Sequence, residues 1–474
     1  VSSHTPIERA LTDRWFPAAS LAAAIRDDAH ATEVMTQIAA RAHATPDPLE
    51  RARLAKLADL TGATRPRSLA PWQALFEHTP EQTAFDAIAQ AVRTQIRLPT
   101  EPTPARLVPG QMVVATSPVR VDLAGGWSDT PPICNELGGA VLNAAVSLSA
   151  RQPLQAVAQL SEEPVIRITS IDLGKSVEFD RTQDLLNYDD PRDWSALPKA
   201  ALVLAGLVPS EPHADLRDWL AGVGGGVRLT VFAALPKGSG LGTSSILGAT
   251  VLAALSRLAG EVAPREVLTT RTSMLEQLMR TGGGWQDQLG GIVPGFKILR
   301  TQPGPDQSPA VEPITIPPQA RAELDSRLIL YYTGLQRLAA NILQKVVGRY
   351  LARDPESLRI VRALKDDAER MRTELLAGDI DAFAATLLDY WNLKRSFDPG
   401  STTPQIEALF DEVRDDLAGY ELPGAGGGGF LLLVANDAPT AHRVRAKLTA
   451  LKPNPTARLY DAAIDDHGLQ VTVV

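Results

Sequence analysis

The sequence predicts an α+β protein of two lobes preceded by a helical segment. Three observations carry this expectation. Residues 1–104 are rich in Ala, Leu, Arg and Asp, with apolar residues at helical spacing. From Gln111 the texture changes to short β-branched or apolar runs. A proline-rich stretch, Pro303 to Pro318, then reads as a connection to a second lobe of long amphipathic helices. The expected boundaries are a helical segment over 1–104, a first lobe over 105–318 and a second lobe over 319–474.

Ala18 to Ala44 carries Leu21, Ile25, Met35 and Ile38 in a helical pattern. Asp47-Pro48 opens a second helix through Leu60, with proline suited to a first turn. Pro80 to Ile96 reads as a third helix, and Pro99 to Pro109 as a linker. Met112–Ala115, Val119–Leu123, Leu154–Ala158 and Val165–Ser170 read as strands. A helix over Trp194–Leu207 and a turn over Gly222–Gly226 follow, then a strand over Val227–Ala233. Pro264 to Arg280 is helical by its spacing of Val267, Leu268, Met274, Leu275 and Leu278, and the glycines from Gly282 to Gly284 end it. In the second lobe Leu328–Tyr332 is a strand. Gln336–Leu351, Pro355–Leu376, Asp379–Trp391 and Thr403–Leu417 are helical, and Phe430–Ala435 is a buried strand.

Apolar residues make up 44% of the chain and charged ones 22%, enough for a substantial core. A net charge of -8 argues against nucleic-acid binding, whose footprint is a basic patch. Cys134 is the single cysteine, so neither an intrachain disulfide nor a cysteine metal cluster can form, which fits a reducing cytosol. The seven histidines show no H-E-x-x-H spacing, so no zinc site is expected. Neither a signal-peptide pattern nor an apolar run of membrane-spanning length is present, and a soluble cytoplasmic protein is expected.

The most informative stretch runs from Leu235 through Pro236, Lys237, Gly238, Ser239, Gly240, Leu241, Gly242, Thr243 and Ser244 to Ser245. Glycines at alternate positions let backbone approach a bulky anion, because no Cβ intervenes. The apolar, small-residue run Ile246 to Leu258 reads as a buried helix, so Thr243 and Ser244 fall near its start. Unpaired N–H groups and the positive dipole end make such a start receptive to phosphate. Taken alone, the stretch is equally a Gly-Ser turn with a serine N-cap.

Other nucleotide motifs fail. Gly174-Lys175-Ser176 lacks the leading glycine of a P-loop, since Thr169 stands there. Gly424-x-Gly426-x-x-Gly429 matches G-x-G-x-x-G, but a strand rather than a helix follows it. What remains is a three-part pattern: Pro118 to Thr130, with the core Arg120-Val121-Asp122-Leu123-Ala124-Gly125-Gly126; the glycine loop; and Pro423 to Phe430. Together these resemble the GHMP kinase superfamily over about residues 110–474. Gly283-Gly284-Trp285-Gln286-Asp287-Gln288-Leu289-Gly290-Gly291, with Leu330-Tyr331-Tyr332-Thr333-Gly334-x-x-Arg337, is similar to the kinase half of the L-fucokinases. Heptose 7-phosphate kinases share the Gly-Gly-Gly-Trp-Gln-Asp-Gln segment.

The resemblance implies an ATP- and Mg²⁺-dependent sugar kinase acting on the anomeric hydroxyl of L-fucose. Residues 236–245 would cradle ATP. Arg120 would sit beside the transferring phosphate, and Asp287 would accept or orient the hydroxyl proton. Asp129, with Gly125, Gly126 and Arg337, would face the sugar. Ser244 and Glu276 would hold Mg²⁺, which prefers oxygen ligands. An arginine in an otherwise apolar strand needs a partner, and a carboxylate accepts sugar hydroxyls readily. The third motif's glycines are expected to let that turn pack tightly under the first motif and the substrate. Arg395 is a further candidate contact, and Trp127 could stack on a sugar or fill the core. A GDP-fucose pyrophosphorylase, fused or associated, is the partner implied. The alternatives are a heptose 7-phosphate kinase, marked by an extra basic cluster near the sugar, and a non-catalytic sugar and ATP sensor.

Overall fold

The computed structural model describes residues 5–64, 79–82, 84, 86, 90, 96–108, 110–190, 192–236, 238–279, 283–305, 307–335 and 339–474. Lys237, Arg337 and most of the helix expected over Pro80–Ile96 lie outside these residues. The strands are β1 (Met112–Ser117), β2 (Val119–Ala124), β3 (Ala140–Leu148), β4 (Leu154–Ser161), β5 (Ile166–Ser170), β6 (Lys175–Phe179), β7 (Gly226–Ala233), β8 (Phe296–Arg300), β9 (Ala310–Ile314), β10 (Leu328–Tyr332), β11 (Leu417–Glu421), β12 (Phe430–Ala435), β13 (Arg458–Tyr460), β14 (Ala462–Ile464) and β15 (Gln470–Val473).

Among the described residues the strands form three sheets. The first is six-stranded, in the order β15-β1-β4-β7-β5-β6. Its core face alternates as period-two strands require; β1 buries Val113, Ala115 and Ser117 and half-exposes the residues between. The helix Thr243–Leu258 covers that face with Ala249, Val251, Leu252 and Leu255. The second sheet joins β14, β3, β8 and β9, with β2 also paired to β3. β2 is buried along its whole length, so its charged residues Arg120 and Asp122 must be satisfied internally. The third sheet has the order β11-β12-β10-β13. One apolar cluster runs from Val121 and Leu142 through Leu364 and Leu387 to Phe430, uniting residues of both halves of the chain. The last strands return to the first half: β14 pairs with β3 and β15 with β1.

Several local expectations are corrected. The pattern over Ala18–Ala44 is two helices, Ala18–Ala24 and Asp28–Ala44. The break falls where the Asp27 side chain accepts from the His30 N–H at 2.8 Å and caps the second helix. The proline-rich stretch is more than a connection, because Ala310–Ile314 pairs with β8 as β9. β9 is an edge strand, where Pro313 is tolerated without an N–H. The helix expected over Thr403–Leu417 ends at Asp411, and Leu417 already belongs to β11. Among the described residues no helix is long and apolar enough to cross a membrane.

Candidate active site

The first motif, the glycine loop and the Asp287 turn meet at one side chain. Arg120 and Asp122 alternate along β2 and so share a face. The Arg120 guanidinium donates from Nη1 to the Gly240 carbonyl at 2.7 Å. From Nε it donates to Asp287 Oδ1 at 2.8 Å, and Nη2 donates to the same oxygen. One buried arginine therefore ties the first motif to the glycine loop and to the Asp287 turn. Gly290 makes the approach feasible: a Cβ there would stand 2.4 Å from Arg120 Cγ.

Gly238, Gly240 and Gly242 all have positive φ, at 72°, 83° and 69°, a conformation that glycine adopts freely. Gly242 is the N-cap of the helix Thr243–Leu258 and makes no side-chain cap bond, so the serine-capped turn is not what forms. The helix start is left to accept an anion. The third motif packs against this loop, and its Gly424 and Ala425 line the same cavity as Arg120, Asp122 and Trp127 of the first motif. A Cβ on Gly429 would stand 2.3 Å from the Ser239 carbonyl oxygen, and one on Gly424 would stand 2.9 Å from that of Gly240. The Phe430 N–H donates to the Ser239 carbonyl at 3.3 Å along the same seam.

Arg120, Asp129, Asp287, Gly238, Ser239, Gly240, Gly242 and Thr243–Ser245 line one cavity of about 320 Å³. Asp122, Trp127, Thr130, Gln286, Leu343 and Ala425 complete much of its wall. Asp129 is buried and accepts from the Gln286 N–H at 3.3 Å. Its carboxylate presses on Gly284, where a Cβ would stand 1.9 Å from Oδ2. Trp127 is both core and wall; it is 7% exposed, with φ at 74°. Gly125 and Gly126 shape the turn and stay out of the cavity wall. A Cβ on Gly125 would stand 2.0 Å from the Ala140 carbonyl oxygen, and one on Gly126 would stand 2.4 Å from Asp122 Oδ2. Pro236 and Leu241 also stay behind the wall; Leu241 is buried, and its carbonyl accepts the Arg120 N–H at 3.2 Å.

The carboxylates of this cavity feel one another. Burial, then the charges of Asp287 and Asp122, pushes the Asp129 carboxyl up to about 7. Burial likewise pushes Glu276 up to about 7, against hydrogen bonds from Ser245 and Gln288. The Gln288 Nε2 bond to Glu276 is 2.9 Å. Glu276 lines a 130 Å³ cavity together with Ser244 and Ser245, which abuts the glycine loop. A buried carboxylate beside serine hydroxyls, held up in pKa, is the donor set that a divalent cation relieves, so these residues fit Mg²⁺.

Asp122, Thr130, Gln286 and Leu343 were not singled out from the sequence. Asp122 was findable, since a period of two puts it on the face of Arg120. It is held from below by Tyr390, whose hydroxyl donates to Oδ2 at 2.6 Å. Lys394 lies 3.9 Å from that same oxygen and donates to Glu421 at 3.1 Å and to the Leu422 carbonyl at 2.6 Å. Arg395 sits away from the cavity wall, donating to Asn392 at 2.8 Å and facing Glu407. Cys134 is fully buried, and burial pushes its thiol well up, which suits packing.

Comparisons with known proteins bear on this arrangement. Residues 213–294 match the GHMP kinases N terminal domain, and residues 371–454 match the GHMP kinases C terminal domain. The L-fucokinase/L-fucose-1-P guanylyltransferase of Bacteroides fragilis is 38% identical over 398 residues, which cover 83% of this chain and 42% of that protein. The chain thus spans less than half the length of that curated relative. The D-glycero-alpha-D-manno-heptose 7-phosphate kinase of Campylobacter jejuni is 25% identical over 332 residues, 70% of this chain and 91% of that protein. The solved galactokinase of Lactococcus lactis shares the fold, with a TM-score of 0.58 at 18% identity over 76% of this chain and 95% of its own. The chain thus carries, in order, matches to the N terminal and C terminal parts of the GHMP kinases.

Proposed function

We propose that this chain is an ATP-dependent sugar kinase that converts ATP and L-fucose to ADP and L-fucose 1-phosphate. The observation that carries the reading is the placement of Arg120, bonded at once to the Gly240 carbonyl and to Asp287. The phosphate end and the acceptor end are thereby joined through one fixed cation. Asp287 orients the anomeric hydroxyl and takes up its proton as the new O–P bond forms and the bond from Pγ to the bridging oxygen breaks. Phosphoryl transfer is largely dissociative, so positioning and charge neutralisation dominate, and a weak base suffices. Gly238 to Ser245 hold the phosphates through backbone N–H groups, and Asp129 accepts hydrogen bonds from sugar hydroxyls. Glu276 and Ser244 would hold Mg²⁺, which when bound neutralises phosphate charge.

The kinship with the Bacteroides fragilis protein supports fucose as the sugar and a fused or separate guanylyltransferase as the consumer of the product. A heptose 7-phosphate would need cationic partners for its second phosphate. Among the described lining residues Arg120 is the one basic side chain, and it is already engaged. The test is ATP consumption across L-fucose, D-arabinose, L-galactose, D-galactose and heptose 7-phosphate. L-fucose is expected to give the highest kcat/KM, with phosphate found on the anomeric oxygen. Preference for heptose 7-phosphate would overturn the substrate, and binding of sugar and ATP without product would overturn the enzyme.

A further inference from the structure

The N-terminal helices reach the sugar side of the cavity through one buried carboxylate. Glu136 lies on the short helix Ile133–Leu137, just beyond Asp129 and Thr130. Its side chain is 4% exposed. Tyr350 Oη donates to it at 2.7 Å and Arg353 Nη2 at 2.9 Å, both from the end of the helix Ala339–Leu351 or just past it. Arg14 of the N-terminal segment donates to the same carboxylate.

The contact extends on both sides. The Arg353 Nε–H donates to the Arg14 carbonyl at 2.8 Å, and the Ala18 N–H donates to the Ala352 carbonyl at 2.9 Å. The Arg353 guanidinium lies over the Trp15 ring at 4.6 Å and the Tyr350 ring at 4.8 Å. Arg353 itself has φ at 54°, a left-handed conformation that a non-glycine residue keeps only where its surroundings over-determine it. Farther along the same helix, Val347 and Leu351 pack on Ala52 and Ala84, with Leu343 at the edge of that cluster. Gly348 admits the Lys56–Glu81 pair, since a Cβ there would stand 2.5 Å from Glu81 Oε1. Leu343 is also a wall of the active-site cavity.

We infer that the N-terminal helices brace the sugar site, with Arg14, Glu136 and Arg353 acting as positioning residues that set the separation between the Asp129–Thr130 wall and the Leu343 wall. The inference rests on the sugar-kinase reading for its kinetic consequence but not for its mechanical one. A buried ion pair broken on one side is costly and local, so its loss loosens the two walls it joins. Neither wall belongs to the start of the helix Thr243–Leu258, so the phosphate end is left in place.

The test uses the full chain with Arg14→Met, Glu136→Gln and Arg14→Lys. Arg14→Met and Glu136→Gln are expected to raise KM for L-fucose about tenfold with KM for ATP unchanged, since a misplacement of about an ångström can cost up to about a hundredfold. Amide exchange is expected to quicken over 133–137 and 342–351 and to stay constant over 243–258. Arg14→Lys is expected to restore most of both. Unchanged exchange over 133–137 and 342–351 in both variants would overturn the brace. So would a parallel rise of both KM values with exchange quickened throughout, which marks general loosening. Exchange decides the brace even if no sugar is phosphorylated, so a failure of the kinase reading stays distinguishable.

Discussion

The two ends of the cavity are built from different materials. The end proposed for phosphate is backbone: positive-φ glycines in the loop, closed by the third motif pressing Gly424 and Gly429 onto loop carbonyls. The end proposed for the sugar is side chain: Asp129, Asp122, Trp127 and Gln286, all buried, with Asp122 held from behind by Tyr390 and Lys394. Backbone recognition suits a ligand whose phosphates never vary. Side-chain recognition can be retuned without disturbing the loop, so the sugar end is where specificity can change. Arg120 is the group common to both.

Substitutions that sharpen this contrast fall into an order of size. Arg120→Met breaks both ends together and is expected to lower kcat about 10²–10³-fold, as for loss of one transition-state donor; steady-state kinetics checks it. Gly429→Ala breaks the phosphate end alone. The new Cβ meets a backbone carbonyl, and φ at 91° is unfavourable for alanine. Strain of about 1–3 kcal/mol translates to a rise of about 5–150-fold in KM for ATP, with KM for the sugar little changed. Gly284→Ala does the reverse at smaller size. The three atoms nearest its Cβ all belong to the Asp129 side chain, which must shift, so KM for the sugar is expected to rise about tenfold while KM for ATP holds.

The smallest effect is a pH dependence confined to the sugar end. Asp129 titrates at about 7 in the folded chain, against 3.8 ordinarily. Below pH 7 it holds a proton and loses capacity to accept from hydroxyls, so KM for the sugar is expected to rise as pH falls through 7 and to level off above it. Asp129→Asn removes that step. The same shift costs stability in the opposite sense. The folded chain keeps a proton that the unfolded chain releases above 3.8, so this contribution declines as pH rises from about 4 to about 7. Thermal unfolding of Asp129→Asn against the parent over that range reads it.

Much of the site was legible because its chemistry is written in short runs. Arg120 stood in an apolar strand, where a lone charge demands a partner, and the alternate glycines before an apolar helix marked an anion loop. The illegible part is long-range. Tyr390 meets Asp122 across 268 positions, and no local pattern joins them. The packing partner of Gly429 depends on how the chain returns, so no local pattern in the third motif points to the Ser239 carbonyl it meets. The edge strand hidden in the proline-rich stretch escaped for a similar reason: its pairing with β8 outweighs the local signal of its prolines. The helical appendage offered no motif at all, and its bearing on the site emerged only through Glu136.

The most direct test of a single crevice uniting Arg120, the glycine loop and Asp287 is the turnover of Asp287→Asn at saturating ATP and L-fucose. This variant keeps the shape of the side chain and removes its charge. Turnover is expected to fall about 10²–10⁴-fold while ATP is still bound with near-parent affinity. Turnover equal to that of the parent would contradict the account, because the carboxylate joined to Arg120 would then have no part in moving the phosphoryl group.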